Sequence, residues 1–318
     1  MNTCVSLRLA KKQSIAEGIV LLELTAPDGR ELPPFTAGAH LLLNLPGGLS
    51  RAYSLCNDPA ERHRYQLAIN LDPRSRGGSR VVHEQLAVGD LVSAQGPNNL
   101  FPLDSEAPHA LLFAGGIGIT PVLSMARYLQ AQGRSWSLHY ATRSHDRCAF
   151  HETLTSSSLA SSSHLYFDDG AANRRLDLAQ TIASAPAGAH LYVCGPTGFI
   201  DAALDAARAQ GWAESRLHSE RFGATAPVAV AERRFTLKLE RSGLTLEVPP
   251  DQTAMAVMLA AGVDLPFSCE QGICGTCITD VLEGRPDHRD QCLDDETRAM
   301  SFTPCCSRSL DDCLRIDL

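Results

Sequence analysis

A chain of 318 residues, 44% hydrophobic and 20% charged, has the length for two or three domains and the composition of an ordinary globular protein. Its net charge of −8, from 28 basic and 36 acidic residues, argues against partners such as nucleic acid or an anionic membrane, and no run of about 18 apolar residues is present to span a bilayer. The start, MNTCVSLRLAKK, lacks the long apolar core of an export signal, and eleven cysteines form an odd count, which together predict a cytoplasmic chain whose thiols ligate metal rather than pair as disulfides.

The first hundred residues read as short strands separated by turn signals. Candidates are Val5 to Ala10, Ile19 to Thr25, His40 to Leu45, Arg51 to Cys56, Tyr65 to Leu71 and Asp90 to Gln95, with PDG at 27–29 and PGG at 46–48 as turns. Such regular spacing predicts a small antiparallel barrel. A boundary is expected near Asp104 to Pro108. From Ala110 apolar strands alternate with helices: HALLFAG, PVLSMARYLQ, SLHYAT, and later HLYVCG followed by FIDAALDAARAQ. That alternation predicts a parallel sheet of βαβ units. The Ser-rich stretch 155–164 reads as a solvated loop.

GATAPVAVA, Gly223 to Ala231, lacks a strong period and is expected to link domains. Beyond it, Glu232 to Leu318 holds 16 acidic and 9 basic residues, a net −7, so the last quarter carries nearly all of the acidity. RFTLKLE and LTLEV predict a hairpin there, and Thr253 to Ala261 a helix. Then come Cys269, Cys274 and Cys277 in SCEQGICGTC, with further cysteines at 292, 305, 306 and 313. This C-x4-C-x2-C…C spacing is that of a plant-type 2Fe-2S ferredoxin, in which thiolates hold two sulfide-bridged irons. A structural zinc site is the main competing reading, yet zinc motifs usually pair two C-x2-C units and one is present. Inert packing thiols are harder to reconcile with three cysteines in nine residues.

The chain resembles the family of flavin and iron-sulfur reductases that includes phthalate dioxygenase reductase and the vanillate O-demethylase reductase component. RAYSLCND at 51–58, SRGGS at 75–79, AGGIGITP at 114–121, VCGP at 193–196, ERFGA at 220–224, CEQGICGTC at 269–277, PDHRD at 286–290 and PCCSR at 304–308 carry the resemblance, which covers nearly the whole chain. It implies three domains: an antiparallel β-barrel flavin domain at 1–105, an α/β parallel-sheet nicotinamide domain at 106–225, and an α+β β-grasp plant-type ferredoxin domain at 232–318.

The resemblance also implies site residues. Arg51, Tyr53 and Ser54 become flavin contacts: an Arg pairs with phosphate, a Tyr stacks on the ring, and a Ser hydroxyl reaches N5. Read alone, RAYS is an ordinary alternating strand. Gly77, Gly78 and Ser79, opening a helix, become the flavin phosphate site; the choice of FMN over FAD follows from the resemblance alone. Gly116, Gly118 and Thr120, with Cys194, Gly195 and Pro196, become the nicotinamide site, Thr120 also being a candidate helix cap before Pro121. GGIGITP does not satisfy the G-x-G-x-x-G fingerprint, since Pro121 stands where the last glycine belongs. Ser54, Cys194 and Phe222 become catalytic, Phe222 also a cofactor contact, although Cys194 read alone is equally a small buried residue. Arg143, in ATRSHD at 141–146, marks the ribose segment, where NADH-using relatives can show an acidic residue in place of Ser144; NADH is expected, with NADPH left open. The fourth cluster ligand becomes Cys305, two residues before Ser-Arg, beside Cys269, Cys274 and Cys277, with Cys306 a neighbour.

The implied function is an oxygenase reductase: hydride from NADH to FMN, single electrons to the 2Fe-2S centre, and delivery to a terminal Rieske-type non-haem iron oxygenase acting on an aromatic compound, by a cytoplasmic monomer. A stand-alone quinone reductase and a redox-sensing or binding module are the alternatives.

Overall fold

The computed structural model describes residues 4–72, 77–169, 175–222, 233–267, 272, 275–290, 292–293 and 295–318. Two compact units result, divided after Phe222. The expected linker, 223–231, lies outside the described residues, as do Cys269 and Cys274.

In the first unit, strands β1 (Cys4–Ala16), β2 (Ile19–Thr25), β3 (His40–Leu45), β4 (Leu49–Ser54), β5 (Tyr65–Asn70) and β6 (Leu91–Asn98) form one sheet in the order β4-β3-β6-β1-β2-β5. Every pairing is antiparallel. Its two edges approach through a single bridge, Leu55 to Leu67, which curls the sheet into a barrel. Leucines supply the interior: Leu7, Leu9, Leu22, Leu24, Leu41, Leu43 and Leu67 are all buried there. Helix α1 (Gly78–Glu84) packs beside β3, β4 and β5. β1 runs six residues past its expected end, with register breaks after Leu9 and Ser14; such bulges tighten the twist that closure requires.

The same unit continues with β7 (Ala110–Gly115), α2 (Ile119–Ala131), β8 (Trp136–Thr142), α3 (His151–Ser156), β9 (Ser163–Phe167), α4 (Leu178–Ala183), β10 (His190–Gly195), α5 (Thr197–Ala209) and β11 (Leu217–Arg221). The five strands are parallel, in the order β11-β10-β7-β8-β9. β7 and β10 read as unbroken apolar runs because both of their faces are buried. Ala110, Leu112 and Ala114 join one core with Val122 and Leu123 of α2, while Leu111 and Phe113 join a second with Ile200, Ala203 and Leu204 of α5. From β7 the chain winds outward to β8 and β9, then returns to β10 on the other side. The crevice between the carboxyl ends of β7 and β10 is thus the topological switch point, where open α/β sheets bind ligands. The Ser-rich stretch is mostly exposed, as expected, but it is not all loop: it holds the end of α3, the buried Leu159 and the start of β9.

Barrel and parallel sheet share a core. Ile19, Ala37, Cys56 and Ala68 of the barrel pack in the cluster that contains α2. Ser124 Oγ donates to the Asn57 carbonyl at 3.0 Å and Arg127 Nη1 to the Cys56 carbonyl at 2.7 Å. The segment after β4 is thereby fixed against α2.

The second unit contains β12 (Phe235–Leu239), β13 (Thr245–Val248), α6 (Ala254–Ala260), β14 (Thr279–Glu283), β15 (Pro286–Asp287), α7 (Asp295–Arg298), β16 (Ser301–Phe302), β17 (Arg308–Ser309) and β18 (Cys313–Ile316). Its main sheet has the order β13-β12-β18-β14-β16, with β12 and β18 parallel and the remaining pairs antiparallel. A hairpin, a helix and a returning parallel strand make this the expected β-grasp. Thr253 caps α6, its hydroxyl accepting from Ala256 N at 3.1 Å. Phe235, Leu237, Met258, Leu314 and Ile316 form the core, and Cys277 and Cys305 lie at its margin among them.

Candidate functional site

The flavin-side residues come from β4 and α1. On β4, Arg51 and Tyr53 are half-buried and Ser54 is buried. The Arg51 side chain lies over the opening of α1: a Cβ at Gly78 would stand 2.6 Å from Arg51 Cγ and 2.9 Å from its Nε. A guanidinium therefore sits beside the backbone amides that begin a helix, with Gly77 left-handed at φ 93 turning the chain into it. That combination fits a phosphate. Ser79 is buried and its hydroxyl accepts from Asp72 N at 3.2 Å, tying the segment after β5 to α1. Burial pushes the Tyr53 hydroxyl up to about 12, with Arg51 pulling weakly the other way, so the ring stays neutral and available for stacking.

The nicotinamide-side residues gather at the switch point. Gly118 is required by close approach: a Cβ there would meet Cys194 O at 2.2 Å and Gly195 N at 2.7 Å. The helix start at Gly116–Gly118 is consequently pressed onto the end of β10. Cys194 is fully buried, and burial pushes its thiol well above its ordinary value, with Glu220 adding to the rise; the group is a neutral thiol. Pro196 precedes α5 as its N-cap residue. Thr120 corrects an expectation. α2 starts at Ile119 with Gly118 as N-cap and no side-chain cap; Thr120 is buried inside the first turn, its hydroxyl returning to the Ile117 carbonyl at 3.1 Å, and Pro121 takes the third helical position rather than the first.

One functional residue was not singled out from the sequence. Glu220 lies on β11 in register with Cys194, and the Ser54 hydroxyl donates to its Oε2 at 3.2 Å. Burial pushes the Glu220 carboxyl up to about 8, the Ser54 hydrogen bond opposing. Ser54 from the barrel, Cys194 from β10 and Glu220 from β11 thus meet at one point. The available signal was an acidic residue two positions before Phe222 in ERFGA, but LHSER did not read as a strand. Phe222 follows β11 and is 42% exposed, a large aromatic left open at the carboxyl end of the sheet.

Arg143 stands apart from this group. It is exposed at the end of β8, two strands away from β10, or roughly 10 Å at the usual strand spacing. Beside it, Asp168 N donates to the Thr142 carbonyl at 3.0 Å and Asp169 N to the Arg143 carbonyl at 3.1 Å. Two exposed carboxylates from the end of β9 therefore neighbour the position where Ser144 breaks the expected acidic pattern.

In the second unit, Cys277 and Cys305 are each 4% exposed. The Cys305 thiol is pushed up by contact with the sulfur of Cys277, then by that of Cys306 and by burial, and Cys306 is drawn down to about 7 chiefly by its contact with Cys305. Converging soft donors from two chain segments suit an iron-sulfur centre. Of the four proposed ligands, Cys277 and Cys305 are brought together; Cys269 and Cys274 lie outside the described residues.

Residues 237–309 match the family of 2Fe-2S iron-sulfur cluster binding domains, and residues 93–217 match the N-terminal domain of the dimethylamine monooxygenase subunit DmmA-like family. A vanillate O-demethylase oxidoreductase from Pseudomonas sp. (strain HR199) is 49% identical over 96% of each chain. A tetrachlorobenzoquinone reductase from Sphingobium chlorophenolicum is 44% identical over 96% of this chain and 95% of its own. The solved structure of phthalate dioxygenase reductase, described as modular for electron transfer from pyridine nucleotides to [2Fe-2S], is 40% identical and superposes with a TM-score of 0.79 over 99% of this chain and 98% of that one. With this likeness running through barrel, parallel sheet and ferredoxin alike, the chain belongs to the family of flavin and 2Fe-2S oxidoreductases that includes vanillate O-demethylase oxidoreductase and phthalate dioxygenase reductase.

Proposed function

We propose that this chain is the NADH-dependent reductase component of an aromatic-ring oxygenase or O-demethylase system, passing electrons through FMN and a 2Fe-2S centre to a terminal Rieske-type non-haem iron oxygenase. The meeting of Ser54, Cys194 and Glu220 carries the reading, because it joins the flavin-side strand to the nicotinamide-side strand through one hydrogen bond. When bound, FMN accepts a hydride and releases single electrons, which the 2Fe-2S centre carries one at a time.

The chain's own residues supply the rest. Arg51, with the amides after Gly77, holds the flavin phosphate, and Tyr53 offers a neutral ring face. Gly118 brings backbone close to β10, and Gly116, which faces open space, leaves room for the nicotinamide. Cys194, buried and neutral, shapes the floor beneath it. Glu220 holds its proton up to about pH 8, so Ser54 faces a neutral acid and not an anion. Phe222 offers an exposed ring at that end of the sheet. Asp168 and Asp169 beside Arg143 favour NADH, since a carboxylate near the ribose bonds its hydroxyls and repels a 2′-phosphate. Cys269, Cys274, Cys277 and Cys305 hold the cluster.

The chain is proposed to act as a monomer in the cytoplasm. Among the described residues no helix is long and apolar enough to cross a membrane. An anaerobic NADH titration tests the internal route: flavin bleaching accompanied by the electron paramagnetic resonance signal of a reduced 2Fe-2S centre is expected, and a silent cluster would break it. The net −7 of residues 232–318 steers the ferredoxin part to a basic partner surface, so electron delivery should slow as salt rises. A salt-independent rate counts against such docking. The quinone reductase relative supports a second reading, which would prevail if a soluble quinone turned over as fast as the oxygenase-coupled reaction.

A further inference from the structure

PDHRD, a motif without a role in the route so far, meets PCCSR, the motif that carries Cys305, inside the ferredoxin unit at Asp290. This residue is 5% exposed, and both carboxylate oxygens are engaged. Oδ1 accepts from Thr303 Oγ1 and from Ser307 Oγ, each at 3.3 Å, and faces His288 Nδ1 at 3.2 Å. Oδ2 accepts from Leu293 N at 3.1 Å and lies 3.8 Å from Arg298 Nη2. The Asp290 carbonyl accepts from Arg298 Nη2 at 3.0 Å, and the Arg298 carbonyl faces His288 Nε2 at 3.0 Å. Thr303 and Ser307 are themselves 2.6 Å apart.

The placement matters more than the number of bonds. Thr303 and Ser307 bracket Cys305 and Cys306, so Asp290 grips both ends of the turn that presents the fourth thiol. On its other side it abuts the loop carrying the remaining three: a Cβ at Gly272 would stand 2.9 Å from Asp290 Cα and 2.5 Å from Cys306 Sγ. Asp290 thus presents its backbone to Gly272 and its carboxylate to the turn that carries Cys305. Burying a carboxylate is costly for a fold, and apolar groups of similar size often do as well or better for stability alone. Its presence here calls for a role that packing does not fill.

We propose that Asp290 is a positioning residue for the 2Fe-2S centre, holding the 303–307 turn in place beside Gly272 and setting the electrostatic potential at the sulfurs, and hence the centre's midpoint potential. This rests on the assignment of the cluster to Cys269, Cys274, Cys277 and Cys305. Hydrogen bonding and charge around the sulfurs are among the levers that set such potentials. Replacing the carboxylate by an amide removes negative character next to the cluster and raises its potential.

The test compares holoprotein carrying Asp290→Asn, Ser307→Ala or Val248→Ala with the unmodified chain, by redox titration, electron paramagnetic resonance and thermal melting. Val248 is fully buried on the edge strand β13 and serves as a control for lost stability. Asp290→Asn is expected to raise the midpoint potential and move the g values, Ser307→Ala to do so more weakly, and Val248→Ala to lower the melting temperature with neither change. If Asp290→Asn fails to fold, Ser307→Ala decides by the same readouts. Unchanged potential and g values in the folded Asp variant, or in the Ser variant where that one decides, would overturn the proposal. An unmodified chain without a 2Fe-2S signal, or a Cys305→Ser chain that keeps one, would instead overturn the ligand assignment beneath it.

Discussion

At residues 4–222 the nicotinamide-side crevice is pinned where backbone meets backbone, whereas the described surroundings of Cys277 and Cys305 in residues 233–318 are pinned by side chains. At the switch point, Gly118 lies against the Cys194 carbonyl so closely that a single methyl group would collide with it, and the crevice is formed by strand ends. Around Cys277 and Cys305 the walls are Asp290, His288, Thr303 and Ser307, a buried polar network in short loops and turns. A backbone wall tolerates most substitutions but not a change of glycine. A side-chain wall is vulnerable to a one-atom change of polarity, because each lost partner strands another buried group.

The sharpest way to break that comparison is a pair of glycine variants. Gly118→Ala forces β10 and the start of α2 apart, and a displacement near 1 Å at a reacting centre costs about 100-fold in rate. Flavin bleaching by NADH should fall by at least that much, measured by stopped flow, while the cluster spectrum survives. Gly272→Ala combines a φ of +70 with Cys306 Sγ at 2.5 Å, and should do the reverse: the cluster is lost and NADH still bleaches the flavin. If either variant damaged both signals equally, the two sites would not be separately built. Next in size is the ligand itself. Cys305→Ser should lose the visible cluster spectrum and Cys306→Ser should retain it; the opposite result reassigns the fourth ligand to Cys306.

Legibility in the sequence divides along the same line. β7 and β10 were readable because burial of both faces leaves a continuous apolar run, and α5 because its apolar stripe repeats at helical spacing. β9 and β11 were not, since polar residues interrupt both edge strands, two of the five in SHLYF and four of the five in LHSER. Missing β11 hid Glu220, whose meaning depends on register with Cys194, a pairing that no local pattern expresses. Cysteine spacing identified the ferredoxin loop, yet the Asp290 network was invisible: its members are scattered over residues 288–307 and come together only through tertiary packing. Thr120 shows the converse error, a good capping residue overridden by Gly118, which the close approach to β10 places at the helix start.

Nucleotide choice gives a smaller and more graded test. NADH should be clearly preferred in kcat/KM, and comparable efficiency with NADPH would remove Asp168 and Asp169 from the specificity site. Replacing both by Ser should improve kcat/KM for NADPH by about tenfold, the scale of a single charge contact worth about 1.4 kcal/mol, with little change for the cluster.

Glu220 sharpens the comparison from the other side, as a side chain that meets Ser54 and Cys194 at the backbone-pinned crevice. Folded, it keeps its proton to about pH 8, against an ordinary value of 4.5. Between those limits the unfolded chain has released a proton that the fold still holds, so stability falls as pH rises across that window and levels off above it. The limiting slope is about 1.4 kcal/mol per pH unit, approached in the middle of that window. Glu220→Gln keeps the shape and stays neutral. Its melting temperature, followed by flavin release from pH 4 to 9, should match that of the unmodified chain near pH 4, draw ahead through the window and hold a constant lead above pH 8. Parallel melting curves across the whole range would mean that this carboxyl ionises normally, and that Ser54 faces an anion at neutral pH.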